Sequence, residues 1–247
     1  MKYKLNNSAN FYSSELGILN SKIIGSSCLK LNLSILEDYN FKGSILVLGY
    51  GDGELIDGLL KYFKDITLIE GSEKLVNIAR LRYKNVNKLA IVNRYFEDYF
   101  VQDVNKYSAI LANHVLEHID DPVAFLKHSK TWLKNDGIAF FTVPNATSLH
   151  RRIGVELGML ESVYDLSEQD RVVGHKRVYD MSQLNNDLQN GGYNIIRQGG
   201  FNLKLISQKQ MLGWSHDLHD AIFKISLNCP EDICSNLFTL CKNKTGF

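Results

Sequence analysis

From residue 45 onward, short apolar runs alternate with amphipathic stretches. The runs are Ile45-Leu46-Val47-Leu48, Ile66-Thr67-Leu68-Ile69, Leu89-Ala90-Ile91-Val92, Ser108-Ala109-Ile110-Leu111-Ala112 and Ile138-Ala139-Phe140-Phe141-Thr142-Val143. They are continuous rather than alternating, as strands covered on both faces are. Between them Leu55, Ile56, Leu59, Leu60 and Phe63 recur at helical spacing, and so do Leu75, Val76, Ala79 and Leu81 behind a Ser72 N-cap. Asp121-Pro122 opens a further helix with Val123, Leu126 and Leu133 on one side, which Lys134-Asn135-Asp136-Gly137 ends. After Pro144 the rhythm breaks for about thirty-five residues, a length that usually marks a functional insertion. It resumes where Ser182 caps a helix through Leu184 and Leu188, stopped by Gly191-Gly192, and strands follow around 194–205 and at Leu237-Phe238-Thr239-Leu240-Cys241. The pattern predicts an α/β domain over residues 1–247 with seven mostly parallel strands and flanking helices. Residues 1–40 form a helical N-terminal cap over the sheet edge or the ligand, and 43–143 the ligand-binding core. Residues 144–180 form a first insertion, and 181–247 carry the rest of the sheet with a second insertion at 206–236.

The first strand breaks into Gly49-Tyr50-Gly51-Asp52-Gly53-Glu54, a glycine loop that enters a helix. Glycines at alternate positions permit a sharp turn and leave no side chain between backbone and ligand. The second strand ends in Glu70, where a carboxylate would hold a ribose diol. Together these imply a Rossmann-like nucleoside site. A dinucleotide fingerprint, G-x-G-x-x-G/A, receives a pyrophosphate. Here the third glycine comes one residue early, and Asp52 and Glu54 would repel a pyrophosphate. Both carboxylates suit a ligand bearing a sulfonium and an ammonium, which favours S-adenosylmethionine over a nicotinamide dinucleotide.

Bulk composition adds exclusions. With 45% hydrophobic and 22% charged residues the chain is of ordinary globular type, and 28 basic against 27 acidic side chains give no one-sided positive field for nucleic acid. No apolar run reaches membrane-spanning length and no signal-like core follows the first residues, so a cytoplasmic protein with no membrane partner is expected. Cys28, Cys229, Cys234 and Cys241 form no paired zinc pattern, and a disulfide framework is not expected.

The glycine loop, Glu70, the Asn93-Arg94-Tyr95-Phe96-Glu97-Asp98 turn, Val115-Leu116-Glu117-His118 and Asp121-Pro122 occur in an order that resembles class I S-adenosylmethionine-dependent methyltransferases acting on small molecules. The resemblance covers about residues 43–145, with a weaker extension to about 195. It implies that Gly49, Gly51 and Gly53 approach the methionine end, that Glu70 with Gly71 serves the ribose, and that Asn113 and His114 lie near the sulfonium. It puts Tyr95 and Phe96 beside the adenine; a simple packing pair in the core is the competing reading. Glu117 and His118 are read as structural, a carboxylate in a first helical turn complementing the helix dipole.

The insertion is where acceptor chemistry is expected. It carries His150-Arg151-Arg152 and Gly174-His175-Lys176-Arg177, the latter similar to a His-x-Arg segment of this family. Arginine forks suit phosphate or carboxylate, so Arg151, Arg152, Lys176 and Arg177 are candidates for binding a small anionic acceptor. Solvated loop charges paired with Glu161, Asp165, Glu168 and Asp170 are the alternative. A neutral hydroxyl acceptor would need a base, for which His175, His150 and then His114 are candidates. No metal constellation is evident. The expectation is methylation of a small polar metabolite, at oxygen, in surface-polysaccharide or natural-product tailoring. Its rivals are N-methylation, a nicotinamide-dependent oxidoreductase and a non-enzymatic nucleoside-binding protein.

Overall fold

The computed structural model describes residues 14–100, 106–211 and 213–243. The first thirteen residues of the expected N-terminal cap lie outside these. Seven strands, β1 (Ile45–Leu48), β2 (Ile66–Glu70), β3 (Leu89–Asn93), β4 (Tyr107–Asn113), β5 (Leu133–Pro144), β6 (Tyr193–Phe201) and β7 (Asn236–Asn243), make one sheet in the order β3-β2-β1-β4-β5-β7-β6. Strands β1 to β5 pair in parallel, whereas β7 runs antiparallel to both β5 and β6. The order reverses beside β1, so a crevice opens at the carboxyl ends of β1 and β4.

The period of two sorts the apolar strand residues onto two faces. Ile45, Val47, Ala109, Leu111, Ile138 and Phe140 face one core. There they meet Cys28, Leu31 and Ile35 of α1 (Glu15–Asp38), Ile56 and Leu59 of α2 (Glu54–Leu59) and Leu75 and Ala79 of α3 (Glu73–Arg82). Leu46, Leu48, Ile110, Ala112, Ala139 and Phe141 face the other, against Phe125 and Leu126 of α4 (Pro122–Lys130). Helix α1 thus covers a face of the sheet rather than its edge. It packs on α2 so that a Cβ on Gly58 would collide with the side chain of Leu29.

Ser72 and Asp121 cap α3 and α4, accepting from the amides of Leu75 and Ala124, contacts that typically contribute about 1 kcal/mol each. Four expectations are corrected. Leu81 is 75% exposed, because the buried stripe of α3 runs through Leu75, Val76, Ala79 and Tyr83, and residue 81 points the opposite way. Helix α4 ends at Lys130, and Leu133 to Gly137 belong to β5, whose register with β4 shifts between Tyr107 and Ala109. Asp180, not Ser182, caps α7 (Met181–Asn190), in a reciprocal box with Gln183. Strand β6 stops at Phe201, so residues 202–205 are no part of it.

The 144–180 insertion is held by a parallel bridge between Asn145 and Tyr179 and contains α5 (Leu149–Glu156) and α6 (Glu168–Val173). The second insertion contains α8 (Gln208–Met211) and α9 (His216–Ser226). No described helix is long and apolar enough to cross a membrane.

Candidate active site

A cavity of about 970 Å³ lies at the carboxyl ends of β1 and β4, walled also by α1 and both insertions. On the β1 side, Gly49 and Gly51 adopt φ of 87° and 59°, left-handed values that side chains rarely take. A Cβ on either would meet nothing within 4 Å, so the bare backbone borders open space. Gly53, also left-handed, is turned elsewhere: it caps α2, and its added Cβ would lie under 3 Å from Tyr50, Arg82 and Tyr83. It does not line the cavity. From α3, Arg82 donates to the carbonyl of Asp52 at 2.7 Å and Tyr83 to that of Gly53 at 3.1 Å, which fixes the loop from behind.

Glu70 is buried at the tip of β2. Its two oxygens accept from the amides of Tyr50, at 2.9 Å, and Ser72, at 2.7 Å. Burial raises its pKa, and these amide bonds oppose the rise. Each oxygen keeps a lone pair, so a ribose diol could still donate to it. Gly71, Tyr95 and Phe96 line the same wall. Phe96 also packs on Phe125 at 6.3 Å, so this ring serves core and cavity together.

At the end of β4, Asn113 accepts from Asn32 of α1 at 3.1 Å, while its own Nδ2 is buried without a partner. His114 follows at φ 55°, an uncommon conformation held by its amide's bond to Thr142. An open glycine-lined turn, a buried carboxylate and an orphaned amide donor on one cavity fit the ribose and the methionine end of S-adenosylmethionine.

Glu117 and His118, read from sequence as structural, gather with His114 and His175 into a second polar group. Glu117, fully buried, sits among three imidazoles: its Oε1 accepts from His114 Nδ1 at 3.1 Å and lies 3.9 Å from His175 Nε2. Burial would lower the pKa of His114, but its bonds to Cys28 and Glu117 prevail and hold it up at about 10. His114 is therefore protonated at neutral pH and is no general base. Burial acts against the Glu117 carboxylate, yet the bond to His114 and then the charge of that imidazole keep its pKa below the usual value. His118 lines the cavity and stacks edge-on to His175 at 4.8 Å. Burial, above all, lowers its pKa. Its Nδ1 lies 3.2 Å from the Gly174 carbonyl, which can only accept, so Nε2 carries the lone pair. The sequence signal was present, a Glu-His pair directly after a parallel strand. No metal set was evident in the sequence, but the ligand atoms of Glu117, His118 and His175 lie within 4.8 Å of one another and could hold a divalent cation.

The insertion's candidates divide. His175 lines the cavity and donates from Nδ1 to Asp170 at 2.9 Å. Burial opposes ionisation of Asp170, but bonds from His175 and Ser167 hold its pKa well below the usual range. His150 lines the cavity too, but burial, then the charges of Lys204 and Arg151, lower its pKa to about 3, too low for an effective base. Arg151, a buried cavity residue, is committed to the insertion itself, donating to the carbonyls of Val163 and Asp165 and to Asp170. Lys176 lines the cavity and pairs with Asp120. Arg152 and Arg177 do not line it. Arg152 pairs with Asp232 at 2.8 Å, and Arg177 donates to the carbonyls of Ile119 and Asp120.

Residues 28–198 match the family model described as a methyltransferase domain. A ubiquinone biosynthesis O-methyltransferase of Pelagibacter ubique (strain HTCC1062) is 25% identical over 164 residues, 62% of this chain and 68% of that protein. A protein of the same name from Vibrio parahaemolyticus serotype O3:K6 is 27% identical over 120 residues, and the match spans about half of its length, 51%. Among solved structures, a possible histamine N-methyltransferase of Thermotoga maritima superposes with a TM-score of 0.62 at 15% identity, covering 91% of each chain. The N-methyltransferase NodS of Bradyrhizobium japonicum, in complex with S-adenosyl-L-homocysteine, superposes at 0.58 and 9% identity, covering 98% of this chain and 99% of its own.

Proposed function

The chain belongs to the S-adenosylmethionine-dependent methyltransferases, and we propose that within this family it methylates a hydroxyl oxygen of a small polar metabolite. S-adenosylmethionine supplies an electrophilic methyl group. The chain's own residues hold the nucleoside and methionine ends against Glu70 and the glycine loop, and they receive the acceptor's proton. The observation that carries the oxygen reading is His118. Its Nδ1–H is fixed on the Gly174 carbonyl, which leaves the lone pair on Nε2 to accept a proton, and the ring lines the cavity. A hydroxyl must lose a proton as it is methylated, and a positioned base contributes about 10²–10⁴ in rate. His175, oriented by Asp170 and stacked on His118, is the second member of this base. The curated relatives named above are O-methyltransferases, which supports the same atom. Tailoring of a surface polysaccharide or natural product is the setting we propose for the reaction.

The test is a screen of matched hydroxyl and amine acceptors, read by S-adenosylhomocysteine release, followed by His118→Ala on the best substrate. Transfer to a hydroxyl is expected, with kcat falling about 10²–10⁴-fold in the variant at unchanged S-adenosylhomocysteine affinity. Transfer to amines alone, or full activity in both His118→Ala and His175→Ala, would contradict the reading.

A further inference from the structure

Lys204 belongs to no sequence motif and stands three residues beyond β6. Because β6 is antiparallel to β7 and β7 to β5, β6 runs parallel to the central strands. The segment after it therefore emerges at the carboxyl edge of the sheet, where ligands bind. Lys204 lines the cavity and, among the described residues, makes no hydrogen bond or ion pair. Burial above all disfavours its charge; the Asp170 carboxylate favours it, and the nearby Arg151 acts against it.

Its neighbours are accounted for. Arg151 donates to two carbonyls and to Asp170. Asp170 is shared among Arg151, His175 and Ser167. His150, close enough for the charge of Lys204 to act on it, stays neutral, and its Nδ1 is buried without a partner. Asp170, whose charge reaches Lys204, is already engaged by Arg151 and His175, so the lysine's single positive charge has no contact partner among the described residues. A poorly hydrated ammonium without a counter-charge is costly, and a ligand anion that completes it is bound correspondingly well.

We propose that Lys204, with His150 beside it as a neutral hydrogen-bond partner, forms a subsite for one carboxylate on the acceptor. A carboxylate balances the single excess charge, whereas a phosphate dianion would leave one negative charge over. The subsite, not the four cations of the insertion's two basic runs, then selects an anionic acceptor. This rests on the reading of the cavity as holding the acceptor as well as the methyl donor.

The test uses benzoate and its neutral isostere benzamide as probes, titrated into the S-adenosylhomocysteine complex of the wild type, Lys204→Met and Lys204→Arg. Benzoate is expected to bind the wild type at least tenfold more tightly than benzamide. That preference should vanish in Lys204→Met and survive in part in Lys204→Arg. S-adenosylhomocysteine affinity should be equal in all three. Lys204→Met should melt no lower than the wild type, since an apolar chain of similar length replaces an uncompensated charge. The proposal is overturned by equal affinities for the two probes, by a preference that survives Lys204→Met, or by no benzoate binding at about 20 mM, a weak affinity. Failure of S-adenosylhomocysteine to bind the wild type would instead count against the parent reading, and the benzoate preference, measured without it, would still decide the subsite.

Discussion

Replacing Glu117 by glutamine keeps the shape of a fully buried side chain and removes the charge that three imidazoles surround. In the native protein the contacts with Cys28 and with Glu117 hold the His114 imidazole at about 10 rather than 6.5, despite burial. A raised pKa in the folded state stabilises fully below the unfolded value, and the benefit is lost as pH rises through the folded value. The contribution of His114 should therefore be complete below 6.5 and gone above about 10. Glu117, with its pKa lowered, adds stability that is present above 4.5 and lost as pH falls through its folded value. Wild type and Glu117→Gln should differ most between these limits, near pH 6. Breaking a buried charge pair from one side costs about 3–5 kcal/mol, and because glutamine still accepts a hydrogen bond we expect about 3. Urea unfolding near pH 6 and near pH 9 measures the difference, which should shrink at the higher pH. Imidazole titration by NMR should place His114 near 10 in the wild type and far lower in the variant. A native His114 that titrates near 6.5, or a stability difference independent of pH, would refute the reasoning.

Gly51→Val places a branched side chain at φ 59° and into the open cavity, so S-adenosylhomocysteine binding should be lost while circular dichroism stays native. The backbone strain is about 1–3 kcal/mol, and retained affinity would refute the role of this turn. Arg152→Ala and Arg177→Ala should leave both the acceptor KM and the S-adenosylhomocysteine affinity unchanged, because neither side chain lines the cavity. The exposed Arg152–Asp232 pair is worth about 0–1 kcal/mol of stability. A several-fold rise in KM for either variant would return these arginines to the acceptor site.

Strands β1, β2, β4 and the second half of β5 were legible because burial on both faces makes them continuously apolar, and the caps of α3 and α4 because Ser72 and Asp121-Pro122 carry their chemistry locally. The glycine loop and Glu70 were readable for the same reason: a left-handed turn and a strand-tip carboxylate are sequence-local. What failed depended on partners far along the chain. Arg151 looked like an anion fork, but Val163, Asp165 and Asp170 take up its donors. His114 looked like a base, but a contact with Cys28 of the distant helix α1 joins that with the nearby Glu117 in raising its pKa. His118 was passed over because its tautomer is set by the carbonyl of Gly174, fifty-six residues away. Lys204 lay hidden in what read as the tail of a strand, and only the end of β6 at Phe201 frees it to line the cavity.

The central claim is that the glycine loop and Glu70 hold S-adenosylmethionine, and calorimetric titration tests it most directly. Wild-type protein should bind S-adenosylhomocysteine at one site and should not bind NADH. Glu70→Ala should lose at least tenfold in affinity, since a charge-assisted bond to a ribose hydroxyl is worth about 1.5–3 kcal/mol. Binding of NADH in place of S-adenosylhomocysteine, or undiminished affinity in a folded Glu70→Ala variant, would contradict the account.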